Sequence, residues 1–189
     1  MNAEIDITNV IITTERLVLR PWRTSDLDDF FEYASVDGVG QMAGWAPHKD
    51  KEESLAILKR FVDGKKTFAI EYRGKVIGSL GVKKYNEALF PEYAERRCRE
   101  IGFVLSKEYW GQGITPEAVR EVLRWLFEEK DLDAVFCGHF VWNSQSARVQ
   151  EKCGFREIGR GKFETRYGTV EDTVERIITK EEWAARQIK

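Results

Sequence analysis

Residues 100–127 read Glu100-Ile101-Gly102-Phe103-Val104-Leu105, then Ser106-Lys107-Glu108-Tyr109-Trp110-Gly111-Gln112-Gly113-Ile114-Thr115, then Pro116-Glu117-Ala118-Val119-Arg120-Glu121-Val122-Leu123-Arg124-Trp125-Leu126-Phe127. Three kinds of residue pattern follow one another. Phe103-Val104-Leu105 is a compact apolar run of the kind that forms a buried strand. Gly111 and Gly113 allow positive φ and a close backbone approach to a ligand. Pro116 suits the first helical position, where its missing N–H costs nothing. Ala118, Val119, Val122, Leu123, Leu126 and Phe127 then recur at helical spacing and give one apolar face. A glycine loop feeding a helix N-terminus offers unpaired N–H groups and a positive dipole end to an anion, typically a phosphate.

The loop is not of the Walker type, which needs G-x-x-x-x-G-K-[ST], and not of the dinucleotide type, because Pro116 stands where G-x-G-x-x-G needs its third glycine. Trp110-Gly111-Gln112-Gly113-Ile114-Thr115 instead resembles the acyl-CoA loop [RQ]-x-x-G-x-[GA] of the GCN5-related N-acetyltransferases, the GNAT superfamily, in the form found in its RimJ/RimL-like branch. Trp110 replaces the basic or amide residue and Thr115 the small one. A second stretch supports the first. Asn143-Ser144-Gln145-Ser146-Ala147-Arg148-Val149-Gln150-Glu151-Lys152-Cys153-Gly154-Phe155 resembles the other signature of that family, an Asn and a Ser opening a short helix that ends in Lys-x-Gly-Phe. On physical grounds Asn143 or Ser144 caps a helix start, and Gly154 fits the left-handed position that ends one, with Phe155 packing back. The strand pattern Thr14-Glu15-Arg16-Leu17-Val18-Leu19-Arg20-Pro21 also looks like the start of this branch, so the resemblance covers nearly the whole chain.

Composition narrows the classes further. The chain has 189 residues, 42% hydrophobic and 33% charged, which is enough for a core and most simply one domain over residues 1–189. A net charge of −2 gives no electrostatic footprint for nucleic acid or an anionic membrane. Cys98, Cys137 and Cys153 are far apart and odd in number. They read as free thiols in a reducing cytoplasm rather than a disulfide framework or a metal site. No apolar run approaches a membrane span, and no signal-peptide pattern opens the chain.

Along the chain, residues 1–12 show no clear periodicity and read as partly loose. Leu17 and Leu19 mark a half-buried strand ended by Pro21. Thr24 or Ser25 is expected to cap a helix carrying Leu27, Phe30, Phe31 and Ala34. Residues 37–48 read as a loop. Asp50 with Glu53 opens a second helix. Phe68 to Tyr72, Arg73-Gly74 and Lys75 to Val82 read as a hairpin, with Gly78 and Gly81 marking a bulge or close backbone approach. Residues 83–97 form a long polar loop. After the central helix come a strand over residues 134–141, the short helix and two last strands. Thr179 with Glu182 opens a final helix. This order is not the strict alternation of a doubly wound fold. It matches the mixed α+β GNAT acyltransferase fold: a mostly antiparallel sheet with splayed middle strands, flanked by helices.

The resemblance implies acetyl-CoA as co-substrate, with its pyrophosphate on the N–H groups of Gly111, Gln112, Gly113, Ile114 and Thr115. It places pantetheine along Phe103, Val104 and Leu105 in a gap left by the strand at 134–141, with a hydrogen bond from Asn143. An N–H near Phe103 or Val104 faces the oxyanion. Glu100 is the candidate general base, or else a solvated strand residue paired with Arg97 or Arg99. Gln150 occupies the place of the family's usual tyrosine acid and cannot act as one. Ser146 is the substitute, as acid or as a cofactor contact, or the thiolate leaves unassisted. Trp45, Pro47 and His48 lie in the loop that lines the acceptor site in the family, and frame an acceptor or pack the core. His139 reads as structural, and Trp142 as core or as a wall of the gap.

An α-amine with pKa about 8 is roughly one-tenth neutral at pH 7, whereas a lysine amine near 10.4 is only about 0.04% neutral. A protein or peptide α-amine is therefore the acceptor that needs least help from a base. The alternatives are a small-molecule amine acetyltransferase, a non-catalytic acyl-CoA sensor, or a nucleotide-binding protein using the same loop. The expected partners are acetyl-CoA and the amine acceptor, with no metal, nucleic acid or membrane, and the chain a monomer or homodimer.

Overall fold

Among the described residues eight strands, numbered in chain order, form one sheet in which they lie in the order 1-2-3-4-5-6-8-7. The structure, a computed structural model, describes residues 1–187, so the last two residues of the expected domain lie outside the described residues. The strands are β1 Ile12–Thr13, β2 Leu17–Pro21, β3 Thr67–Tyr72, β4 Lys75–Lys83, β5 Cys98–Leu105, β6 Ala134–Phe140, β7 Arg156–Glu164 and β8 Val170–Thr179. The helices are α1 Leu27–Ala34, α2 Lys51–Gly64, α3 Ile114–Arg124, α4 Ser144–Cys153 and α5 Lys180–Gln187. Every neighbouring pair is antiparallel except β5 and β6, which run parallel. This is the mixed sheet expected from the sequence.

Strand alternation sorts the side chains into two layers. On the back face, Leu80, Val82, Ile101, Leu105, Val135 and Cys137 pack with Ala118, Val119, Val122 and Leu123 of α3. On the front face, Ala69, Val76 and Val104 meet Phe30, Tyr33 and Leu58 of α1 and α2. Tyr85 and Phe90, from the long loop after β4, cover Phe136 on that same face, with Tyr85 stacked on it at 4.8 Å.

Local signals explain most boundaries. Arg73 and Gly74 both take positive φ, 52° and 79°, which closes the β3–β4 hairpin with the twist its strands need. A Cβ on Gly78 would lie 2.4 Å from the Val104 carbonyl, so β4 and β5 approach there as closely as backbones can. Asp50 accepts from the Glu53 N–H, and Glu53 reaches back to the Lys49 N–H. Thr179 and Glu182 form the reciprocal box that opens α5.

Four expectations change. Residues 1–12 are not loose: Ala3, Ile5 and Ile7 alternate into the core, and the Ala3 N–H bonds the Cys98 carbonyl. Neither Thr24 nor Ser25 caps α1. They lie in a 3₁₀ turn held by Asp26, whose carboxylate takes the Arg23 N–H. The central helix starts at Ile114, two residues before Pro116, because Gly113 at φ 75° caps it and its carbonyl accepts the Glu117 N–H. Pro116 is still in the first turn, where N–H groups have no intrahelical acceptor. Trp142 is half exposed and donates to Glu171, so it is neither core nor wall of the gap.

Candidate active site

The parallel ladder between β5 and β6 has only three rungs: Cys98↔Ala134, Arg99↔Val135 and Glu100↔Phe136. Beyond Glu100 the strands part, while β5 stays paired to β4 up to Leu105 and β6 to β8 up to Phe140. A backbone edge left unpaired inside a sheet needs another partner. The opening continues into a groove of about 270 Å³ whose walls include Phe103, Val104, Leu105, Gly111, Gly113, Ile114, Thr115, Asn143 and Ser146. Nine of the residues singled out from the sequence are thus brought together.

At the rim by α3 the glycine loop and the helix start present backbone N–H groups to the groove. Gly111 and Gly113 both take positive φ, 76° and 75°, which turns the loop into the helix start. The Trp110 indole N–H donates to the Leu105 carbonyl at 2.8 Å, so this departure from the family pattern ties the loop to the end of β5. Gln112 does not line the groove. Its side chain donates to the Glu108 carbonyl, and its own carbonyl accepts from Arg16. Arg16 also clamps Glu117 in the first turn of α3, at 2.7 Å from both Nε and Nη2, and the Thr14 hydroxyl donates to the same carboxylate. Burial alone would raise the Glu117 carboxyl, but Thr14 and Arg16 hold it below its usual value. Arg148 and Lys152 of α4 add positive charge along the same groove.

Arg16→Ala is accordingly expected to weaken CoA binding about tenfold, since it frees the Gln112 carbonyl to turn into the anion site. Isothermal titration checks it; unchanged affinity would show that the loop holds its shape without the clamp.

Glu100 sits on the last rung, at the apex of the gap, with its side chain on the front face. Neither Arg97 nor Arg99 pairs with it: Arg97 bonds the Asp131 and Lys130 carbonyls, and Arg99 the Ala3 carbonyl. Burial raises the Glu100 carboxyl above its ordinary value; the Lys83 ammonium opposes this and the Glu175 carboxylate adds to it. Glycines make room for both neighbours. The Lys83 Nζ lies 2.8 Å from where a Cβ on Gly102 would stand, and a Glu175 oxygen 2.9 Å from one on Gly138. The Thr173 hydroxyl fixes Glu175 from 2.6 Å.

Asn143 caps α4 by accepting the Ser146 N–H at 3.0 Å, and its amide donates to the Met42 carbonyl at 3.2 Å. One of the two amide hydrogens is thus committed to the protein, while the other has no protein partner among the described residues and Asn143 lines the groove. Trp45 and His48 do not line the groove. The Trp45 ring covers Gly40, and the buried His48 Nδ1 meets the Ser54 hydroxyl at 2.7 Å with its ring edge-on to Phe30. Burial lowers the His48 imidazole, as for a packed structural histidine. Sequence reasoning missed Glu117, Lys83 and Glu175, and the clamp that Arg16 forms. Each acts across the fold rather than along the chain, and only the inward alternation of Thr173, Glu175 and Ile177 could have flagged Glu175. Among the described residues no group of three or more His, Cys, Asp or Glu side chains is arranged to hold a metal, and no helix is long and apolar enough to cross a membrane.

Comparison with known proteins agrees with this geometry. The family model described as "Acetyltransferase (GNAT) domain" matches residues 16–156, roughly three quarters of the chain. A Bacillus subtilis protein named as an uncharacterized N-acetyltransferase, YnaD, is 26% identical over 150 residues, spanning 78% of this chain and 84% of that protein. The crystal structure of a GNAT-family acetyltransferase from Bacillus anthracis superposes with a TM-score of 0.78 at 25% identity, covering 91% of this chain and 99% of that one. The ribosomal-protein-S5-alanine acetyltransferase of Vibrio fischeri shares the fold, with a TM-score of 0.69 at 22% identity over 93% of this chain and 99% of that one. With a sheet that opens beside a glycine loop and helix start, and with that match over most of its length, the chain belongs to the GNAT family of N-acetyltransferases, whose acyl donor is acetyl-CoA.

Proposed function

We propose that the chain acetylates the α-amine of a protein or peptide N-terminus, as an enzyme of the RimJ/RimL-like branch, by direct attack within a ternary complex. The observation that carries this reading is the parting of β5 and β6 immediately beyond Glu100, with the anion site at one end of the gap and a carboxylate at its apex. The N–H groups of Gly111, Gly113, Ile114 and Thr115 hold the pyrophosphate, with Arg148 and Lys152 beside it. Phe103, Val104 and Leu105 offer their backbone to pantetheine, and an N–H at Phe103 or Val104 stabilises the oxyanion. Asn143 hydrogen-bonds pantetheine while it fixes the start of α4, and Trp45 and His48 act from behind, fixing the loop that faces the acceptor.

Acetyl-CoA supplies the activated thioester. Glu100 takes the amine proton, directly or through water, as the C–N bond forms. When the C–S bond breaks, its electron pair goes to sulfur, and the Ser146 hydroxyl donates a hydrogen bond to the developing thiolate. A carboxyl raised by burial is a stronger base than an exposed one, and an α-amine asks less of it than a lysine does. The fold shared with the Vibrio fischeri enzyme, named for acting on a ribosomal-protein alanine, is compatible with this acceptor class. Three buried, unpaired thiols fit a reducing compartment, the cytoplasm.

Release of free thiol from acetyl-CoA, followed across a panel of amines, tests the reading. Peptides with free N-termini should be acetylated at least tenfold faster, as kcat/KM, than N-blocked lysine peptides or small polyamines. A preference for a small amine would replace the acceptor class. Tight CoA binding with turnover of no amine would sink the enzymatic reading.

A further inference from the structure

The environment of Ser146 is decided by a residue that cannot itself do acid–base work. Gln150 is fully buried, one helical turn after Ser146 on the same face of α4. Its side chain makes three contacts: Nε2 to the Gly138 carbonyl at 3.2 Å, Nε2 to the Ser146 Oγ at 3.1 Å, and Oε1 to the His139 Nδ1 at 3.1 Å. The carbonyl of Gly138 fixes which end is which, because only an NH₂ group can face a backbone oxygen. The second amide hydrogen then points at Ser146, so Ser146 accepts there. The oxygen in turn requires the His139 Nδ1 to carry a hydrogen. Burial lowers the His139 imidazole, which keeps the ring neutral and this tautomer in place.

We infer that Gln150, oriented by Gly138 and His139, is a positioning residue that occupies a lone pair of Ser146 and leaves the Ser146 hydroxyl free to donate into the groove toward the cofactor sulfur. The inference rests on the reading of Ser146 as a donor to the thiolate. Among the described residues the Ser146 hydroxyl donates to no protein atom, and its N–H is fixed by Asn143. Ser146 itself lines the groove. Glutamine at this position therefore does not leave the leaving group unattended: it moves the donor one turn earlier on α4 and sets its direction.

The test is the ionisation of the CoA thiol bound to the whole protein, followed by the ultraviolet absorbance of the thiolate against pH. A hydroxyl aimed at sulfur stabilises the anion and lowers the thiol pKa by about one pH unit. Gln150→Met removes the amide without changing length much, and Gln150→Glu reverses the bond, since a carboxylate accepts from the Ser146 hydroxyl. Both, like Ser146→Ala, should return the bound thiol about one pH unit upward. Gln150→Met combined with Ser146→Ala should do no more than Ser146→Ala alone, a coupling that a merely structural role would not produce. If Ser146→Ala shifts the thiol and both Gln150 variants leave it unchanged, or if the effects add, the positioning role is overturned while the serine donor stands. If Ser146→Ala shifts nothing, the donor reading itself fails. CoA affinity and thermal melting of each variant establish that it is folded, and Gln150→Glu serves should Gln150→Met not fold.

Discussion

Glu100→Gln is expected to lower kcat by about 10²- to 10⁴-fold, the usual contribution of a positioned general base, while leaving the affinity for CoA within about twofold. The separation follows from geometry. Glu100 stands on the last β5–β6 rung with its side chain on the front face, whereas the anion site and the α4 wall lie on the back. Glutamine keeps the shape and loses only the ability to take a proton. The pH dependence should change with it. Burial, reinforced by Glu175 and opposed by Lys83, raises the Glu100 carboxyl, so kcat/KM should carry, beside the limb set by the acceptor amine, a second acidic ionisation above the usual value of a carboxyl in the native enzyme, and the variant should keep the amine limb alone. The stability effect has the opposite sign. A carboxyl with a raised folded-state pKa binds more protons when folded, so its contribution diminishes as pH rises from the unfolded to the folded value. At pH 7 the neutral glutamine is therefore expected to melt no lower than the native protein. A variant that keeps full activity, or one that loses activity together with its melting temperature, would remove Glu100 from the mechanism.

Glu175→Gln and Lys83→Met bear on the same pH limb. Removing the Glu175 carboxylate should move it down, and removing the Lys83 ammonium should move it up, because those charges act on Glu100 with opposite signs. Kinetics across pH with a peptide acceptor would read both, and shifts in the same direction would contradict the assignment.

What the sequence disclosed was local. The loop–helix junction needs positive φ at Gly111 and Gly113, and the end of α4 needs it at Gly154, so glycine spacing announces both. The Asn143 cap and the Thr179–Glu182 box are likewise readable because the partners lie three residues apart. The parting of the strands is implied by the family resemblance alone, since nothing in residues 100–105 or 134–140 says how far two strands stay paired. The clamp of Arg16 on Glu117 joins positions 101 apart, and no pattern along the chain links them. Trp45, His48 and Trp142 show a different limit: an aromatic in an apolar stretch suits a core, a pocket or a surface equally well. At the N-terminus the clue was present. Ala3, Ile5 and Ile7 alternate with Glu4, Asp6 and Thr8, which is the period of a half-buried extended segment.

Asp26→Ala is the substitution expected to cost the most stability, about 3–5 kcal/mol, as is usual when one partner of a buried ion pair is removed. Arg20 and Asp26 meet through two parallel hydrogen bonds of 2.9 Å, and both side chains are more than nine-tenths buried. Glu71 adds a third charge at 2.7 Å from the Arg20 Nε, and hydrogen bonding to Asp26 holds the Arg20 guanidinium firmly protonated despite its burial. Alanine leaves that cation with only Glu71 and the Pro21 carbonyl, and it also strips the Arg23 N–H of its acceptor. For a chain of this size the loss corresponds to a fall of about 6–20 °C in melting temperature. The position of the pair decides which function suffers. It ties the end of β2 to the entry of α1, on the face opposite α3 and the anion site. The CoA affinity of the fraction still folded should therefore stay close to native, while KM for the acceptor should rise, because in the function proposed above the loop after α1 faces the acceptor. Replacing both partners, Arg20→Met with Asp26→Leu, should recover much of the lost stability, since Glu71 is partly exposed and can turn to water. Chemical denaturation of the three proteins measures these terms. A loss below about 1 kcal/mol for Asp26→Ala would mean that Glu71 alone satisfies Arg20, and a matching loss of CoA affinity would mean that the two faces of the sheet are not independent.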